Sequence, residues 1–112
     1  MRHVAKQHEP LSEAVFLILT SLAEEPRHGY ALIKDIESLS DGRVKLSTGT
    51  LYGALNRMLQ VRWIERFNTD DTSRDKQSYR LTPLGREHLA GDLDRLKALT
   101  RIAATRLRAK EA

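Results

Sequence analysis

Ser47, Thr48, Thr50, Tyr52, Asn56, Arg57 and Gln60 crowd into one short stretch around Gly53, and nearly all of them carry short or bidentate hydrogen-bonding groups. Arginine can pair bidentately with guanine, asparagine or glutamine with adenine, and hydroxyls at a helix start suit phosphate oxygens. Residues of this kind also occur on a capped amphipathic helix that meets no partner, so the surrounding elements must decide between the two readings.

Within STGTLYGALNRML, residues 47–59, Ser47 or Thr48 can accept from the orphaned first-turn amides, and Leu51, Ala54, Leu55, Met58 and Leu59 recur at helical spacing. The apolar stripe predicts a helix that buries one face and turns its polar face outward. Upstream, LSEAVFLILTSLAEE places Leu11, Ala14, Val15, Ile18, Leu19 and Leu22 on one stripe, with Pro10 or Ser12 available to start a first helix. Phe16 and Leu17 widen that surface beyond one stripe and suit contact with another chain. PRHG punctuates, and Tyr30 to Leu39 reads as a second helix through Leu32, Ile33, Ile36 and Leu39.

Downstream, VRWIERFN and QSYRLT are β-favouring and flank the polar NTDDTSRDK, which predicts a hairpin with a long tip. Ile64 and Phe67 have opposite parity, so a bulge or a short first strand is expected. Thr82 and Pro83 supply an N-cap and an N1 proline for a helix reaching about Arg108. At about 1.5 Å per residue such a helix extends about 40 Å, farther than the small preceding core can cover. Its stripe of Leu89, Leu93, Leu96, Leu99, Ala103 and Leu107, interrupted by Thr100, is predicted to meet a partner helix.

The chain has 112 residues, 40% of them hydrophobic and 30% charged, which is ordinary for one small domain. Positive charge is unevenly placed: residues 1–40 are net −2, whereas residues 41–82 and 83–112 are each net +3. A basic surface of this kind suits a polyanionic partner through counterion release. Cysteine is absent, which excludes disulfides, thiolate catalysis and cysteine-ligated metals. No apolar run approaches a membrane span and MRHVAKQHEP lacks a secretory core, so a cytoplasmic protein without membrane contact is expected.

His3, His8, His28 and His88 lack metal-ligand pair spacing, Glu24-Glu25 and Asp70-Asp71 read as solvated turn residues, and no glycine-rich phosphate loop follows a strand. No catalytic site, metal or cofactor is therefore predicted. Trp63 is assigned to core packing rather than to stacking on a ligand. Residues 83–112 contain no aromatic side chain that could stack a planar drug.

Four segments together resemble the PadR family of bacterial transcriptional regulators: LILTSLAEEPRHGYALIKDI at 17–36, STGTLYGALNRML at 47–59, VRWIERF at 61–67 and SYRLTPLGREHL at 78–89. The resemblance implies a mainly α fold with a small β-hairpin, a winged helix-turn-helix followed by one long C-terminal dimerisation helix. The expected organisation is a flexible arm at 1–10, a winged-helix DNA-binding domain at 11–82 and the dimerisation helix at 83–112. It further implies a homodimer that binds an inverted-repeat operator in double-stranded DNA, usually as a repressor, with the third helix in the major groove.

Carried over by position, Ser47, Thr48, Thr50, Tyr52, Asn56 and Arg57 are the leading DNA contacts, Tyr30 of HGY joins them, and Arg74, Lys76 and Arg80 of the wing are phosphate contacts. His28 of HGY is assigned to packing and a local hydrogen bond. Gly53 departs from the proline common after GTLY, and Asp70, Asp71 and Asp75 make the wing tip acidic as well as basic. An unidentified effector or partner protein could act by tilting the subunits. The alternative is a winged-helix protein-interaction module, an adaptor without DNA binding; RNA is disfavoured because the third helix offers no stacking aromatic besides Tyr52.

Overall fold

The computed structural model describes residues 9–67 and 77–111. In chain order these form α1 (Glu13–Glu24), β1 (Arg27–His28), α2 (Gly29–Leu39), α3 (Thr48–Gln60), β2 (Ile64–Phe67), β3 (Ser78–Leu81) and α4 (Pro83–Glu111). Of the two residues that could start the first helix, Ser12 caps α1 by accepting from the Val15 amide at 3.1 Å. Ser47, not Thr48, caps α3 by accepting from the Thr50 amide at 3.1 Å. His28 stands at the N-cap of α2 without a side-chain cap bond. No described helix is long and apolar enough to cross a membrane.

The helices close over one core in which Ile18, Leu19, Leu32, Ile36, Leu51, Leu55 and Ile64 are fully or almost fully buried. Ile64 is the one buried residue of the four in β2, so the mixed parity read in the sequence resolves as a short strand.

The expected hairpin is present as β2 paired with β3, and β1 adds a strand the sequence did not suggest, giving a three-stranded antiparallel sheet in the order β1-β3-β2. Arg27 pairs with Tyr79 and His28 with Ser78, while Ile64 to Phe67 pair with Leu81 to Ser78. Two residues are too few to show an alternation, and their partners lie far along the chain, so PRHG looked like punctuation alone. His28 is exposed, and its Nδ1 lies 3.3 Å from Ser78 Oγ across the sheet, so its contact is long-range rather than local.

Arg27 then fastens this edge strand to the helices. Its Nε donates to the Ser21 carbonyl at 3.3 Å and lies 3.7 Å from Asp35 Oδ2, and its guanidinium pairs with Glu24 and Glu25. The buried Ser21 hydroxyl donates to Asp35 at 2.5 Å, tying α1 to α2.

Helices α2 and α3 end alike. Gly42 N–H donates to the Glu37 carbonyl and Asp41 N–H to Ser38; Trp63 N–H donates to Met58 and Arg62 N–H to Leu59. Both are Schellman stops, with left-handed Asp41 at φ 54° and Arg62 at φ 63°. Trp63, delivered by the second stop, packs against the core and tilts 30° over the His88 ring of α4, centroids 4.5 Å apart. The expected core role of Trp63 therefore includes a contact with the long helix, which the chain separation concealed.

Thr82 joins these parts. Its amide donates to the Trp63 carbonyl at 3.0 Å, its hydroxyl accepts from the Gly85 amide at 3.0 Å, and that hydroxyl lies 2.6 Å from the Arg62 carbonyl oxygen. A Cβ on Gly85 would collide with the Trp63 carbonyl oxygen and lie 2.9 Å from its carbon, both backbone atoms that cannot swing aside. Although alanine favours a helix by about 1 kcal/mol over glycine, we expect Gly85→Ala to lower stability by about 1–3 kcal/mol through overpacking. Urea denaturation checks this: an unchanged or higher midpoint would show that the contact relaxes freely.

Candidate nucleic-acid interface

The inward face of α3 is spent on the core, where Leu51, Ala54, Leu55 and Met58 are buried. The helical period therefore leaves Ser47, Thr48, Thr50, Asn56, Arg57 and Gln60 exposed. Ser47 is occupied as the cap, its hydroxyl also donating to Thr50 Oγ1 at 3.0 Å. Among the described residues, no hydrogen bond or ion pair engages the side chains of Asn56, Arg57 or Gln60. Three bidentate-capable groups thus stand exposed together, unpaired among the described residues.

Tyr52 is placed differently from its neighbours. It is half-buried against the core, and its hydroxyl occupies the space a Cβ of Gly29 would need, so the ring braces α3 against the start of α2. Tyr30 is 69% exposed on the first turn of α2, with the Lys34 ammonium 5.6 Å from its ring centroid. In the sequence, the charge of Lys34 alone does not distinguish it from a solvated helix face.

On the wing, Arg80 is exposed, but its Nε donates to Glu65 at 2.6 Å and its guanidinium lies 4.8 Å over the Phe67 ring. That pairing offsets part of the charge it could offer a phosphate. Arg74 and Lys76 lie outside the described residues.

The loop leading to α3 is held by Arg43, which pairs with Glu13 at the start of α1, one bond measuring 2.9 Å. The hydrogen bond from Arg43 holds the Glu13 carboxyl below the ordinary carboxylate range, and the same bond raises the guanidinium. Both groups are solvent-facing, so the pair orients the loop more than it stabilises the fold.

Along α4 the apolar stripe divides in two. Leu89 is half-buried against the domain's own core, and the nearby Asp92 carboxylate is buried, accepting from Arg95 Nε at 2.8 Å. Hydrogen bonding to Asp92 is also what raises the Arg95 guanidinium. Farther on, Leu93, Leu96, Leu99, Ala103 and Leu107 are exposed, Leu99 by 50% and Leu107 by 67%. Ile102, outside the stripe read in the sequence, is exposed as well. A groove of about 390 Å³ between α1 and α4 is lined by Leu11, Phe16, Leu17 and Leu96, with Glu13, Asp92 and Arg95 at its polar side.

Residues 18–91 match the Transcriptional regulator PadR-like family. An uncharacterized 37.1 kDa protein of transposon Tn4556 from Streptomyces fradiae is 38% identical over 78 residues, which are 70% of this chain and 21% of that protein. The chain thus spans about a fifth of that relative's length. A PadR family transcriptional regulator from Eggerthella lenta superposes with a TM-score of 0.66 at 28% identity, covering 83% of this chain and 80% of its own. A PadR family transcription regulator from Clostridium difficile superposes at 0.69 with 22% identity, covering 86% and 99%. The family match covers well over half of the chain, and the chain belongs to the PadR-like family of transcriptional regulators.

Proposed function

We propose that this regulator is a cytoplasmic, sequence-specific DNA-binding protein that represses transcription from an inverted-repeat operator as a homodimer. The observation that carries the reading is the divided surface of α3: four buried residues anchor one face, while Asn56 and Arg57 stand exposed on the other, engaged by no hydrogen bond or ion pair among the described residues. Thr48 and Thr50 lie at the amide-rich end of the same helix, where hydroxyls and N–H groups suit phosphate oxygens. Tyr30 and Lys34 extend that surface onto α2, and Arg74, Lys76 and Arg80 would place the wing on the backbone.

A second copy of the chain is the proposed cover for Leu93, Leu96, Leu99, Ala103 and Leu107, with Leu89 at the root of the seam. The exposure of this stripe, continuous with the groove beside Phe16 and Leu17, supports that reading. Pairing would set two third helices about 34 Å apart, one turn of duplex. A small apolar effector or a partner protein entering between subunits would alter that separation and release the operator.

A dimer making about eight phosphate contacts should show a slope of about −7 for log affinity against log salt. Fluorescence anisotropy on the duplex upstream of the protein's own gene reads it, and a flat response would favour the adaptor alternative. Replacing Arg57 by alanine should weaken binding by about 1–3 kcal/mol per half-site and relax the preference at one base pair. Introducing Leu99→Glu should shift sedimentation from dimer to monomer and weaken operator binding with it; a wild-type chain that sediments as a monomer at micromolar concentration would remove the pairing proposal.

A further inference from the structure

Two residues of α3 and its exit turn are each a poor choice for the stability of this chain alone. Gly53 lies in the interior of α3, where a Cβ would meet only the Arg57 Nη1 at 3.7 Å, an ordinary contact. Alanine would fit there and would favour the helix. Arg62 occupies the left-handed position at φ 63° that terminates α3, where glycine is the unstrained residue. Its side chain is exposed and, among the described residues, engaged by no hydrogen bond or ion pair.

Gly49, one turn before Gly53 on the same face of α3, likewise leaves room for a Cβ, with nothing within 4 Å among the described residues, whereas three other glycines near the site have reasons inside the fold. A Cβ on Gly29 would strike Tyr52, one on Gly85 would strike the Trp63 carbonyl, and Gly42 sits at φ +79°. Among the described residues Gly53 and Arg62 have no such reason, so packing against those residues explains neither the missing side chain nor the strained one.

A surface lying along the outside of α3 explains both. Gly53, Asn56 and Gln60 follow one another at helical spacing on the face opposite Leu51, Leu55 and Met58. A bare backbone at 53 lets base edges come closer to the helix axis than any side chain would allow, which brings the short Asn56 amide within reach. Gln60 stands about 6 Å farther along the axis, about two base steps. That end of the helix is the negative end of its peptide dipole, which disfavours a phosphate, and Arg62, just beyond it, supplies the compensating cation.

We propose that Gly53 is the point of closest approach to the operator, that Asn56 and Gln60 read two adenines about two base steps apart in each half-site, and that Arg62 holds a phosphate at the far end of the reading helix. This rests on the DNA-reading function proposed above and specifies its target.

The full-length protein is selected against a random duplex library, and affinity is then measured on the enriched and on an unrelated duplex, beside a thermal melt, for wild type, Gly53→Ala, Gln60→Ala and Arg62→Gly. Gly53→Ala should raise the melting temperature by about 4 °C yet weaken binding to the enriched duplex about 10- to 100-fold, leaving the unrelated duplex within about twofold. Gln60→Ala should lose the preference for one adenine. Arg62→Gly should also melt higher, while weakening both duplexes evenly and reducing the salt slope by about 2 per dimer.

If wild type enriches no sequence, the DNA-reading function falls and this proposal with it. If wild type enriches a sequence but Gly53→Ala holds it as tightly, or weakens both duplexes alike, the close-approach role is overturned while the function stands. An unchanged base preference in Gln60→Ala, or an unchanged salt slope in Arg62→Gly, overturns the role of that residue in the same way.

Discussion

The first turn of α4 rests on the peptide carbonyl of Trp63, an approach that the missing side chain of Gly85 permits and that Thr82 ties down from both sides. Three elements meet at that joint. Arg62 and Trp63 end the third helix, β2 begins at Ile64, and the long helix starts at Pro83. The angle between α3, β2 and α4 is therefore set by backbone atoms in contact, with the Trp63 ring on His88 as a second support. Backbone contacts of this kind leave little room for independent motion, since neither side can change rotamer to relieve strain.

A rigid joint gives the exposed stripe of α4 its significance. The helix that carries Leu93 to Leu107 is joined to the end of α3 through the contacts of Thr82 and Gly85. The opposite end of α3 is steadied separately, by Ser47 at the cap, by Tyr52 against Gly29 and by the Arg43–Glu13 pair that directs the incoming loop. The polar face of α3 is thus steadied at both ends and, among the described residues, uncovered along its middle, which presents its hydrogen-bonding groups already oriented.

Sheet formation follows a similar division of labour. β3 lies at the centre because Tyr79 is buried and pairs on both sides, while β1 contributes only Arg27 and His28. Arg27 makes the short strand worthwhile by carrying its charge into a set of partners on α1 and α2, with Ser21 and Asp35 satisfying groups that burial would otherwise strand.

The periodic helices were legible from residue order because the signals that form them are local. The stripes through Ile18 and Leu55, the caps at Ser12 and Ser47 and the Thr82-Pro83 start all act within one or two turns. The outward direction of Asn56 and Arg57 followed from the same period. Tertiary structure alone decided what depends on residues distant in sequence: the third strand at Arg27 and His28, the inward brace formed by Tyr52, the pairing of Arg80 with Glu65, and the division of the α4 stripe at Leu89. It also decided the meaning of the glycines. A residue without a side chain leaves no pattern in a sequence, and only the atoms standing where its Cβ would be separate Gly85, pressed on Trp63, from Gly53, where a Cβ would meet the Arg57 guanidinium at an ordinary 3.7 Å.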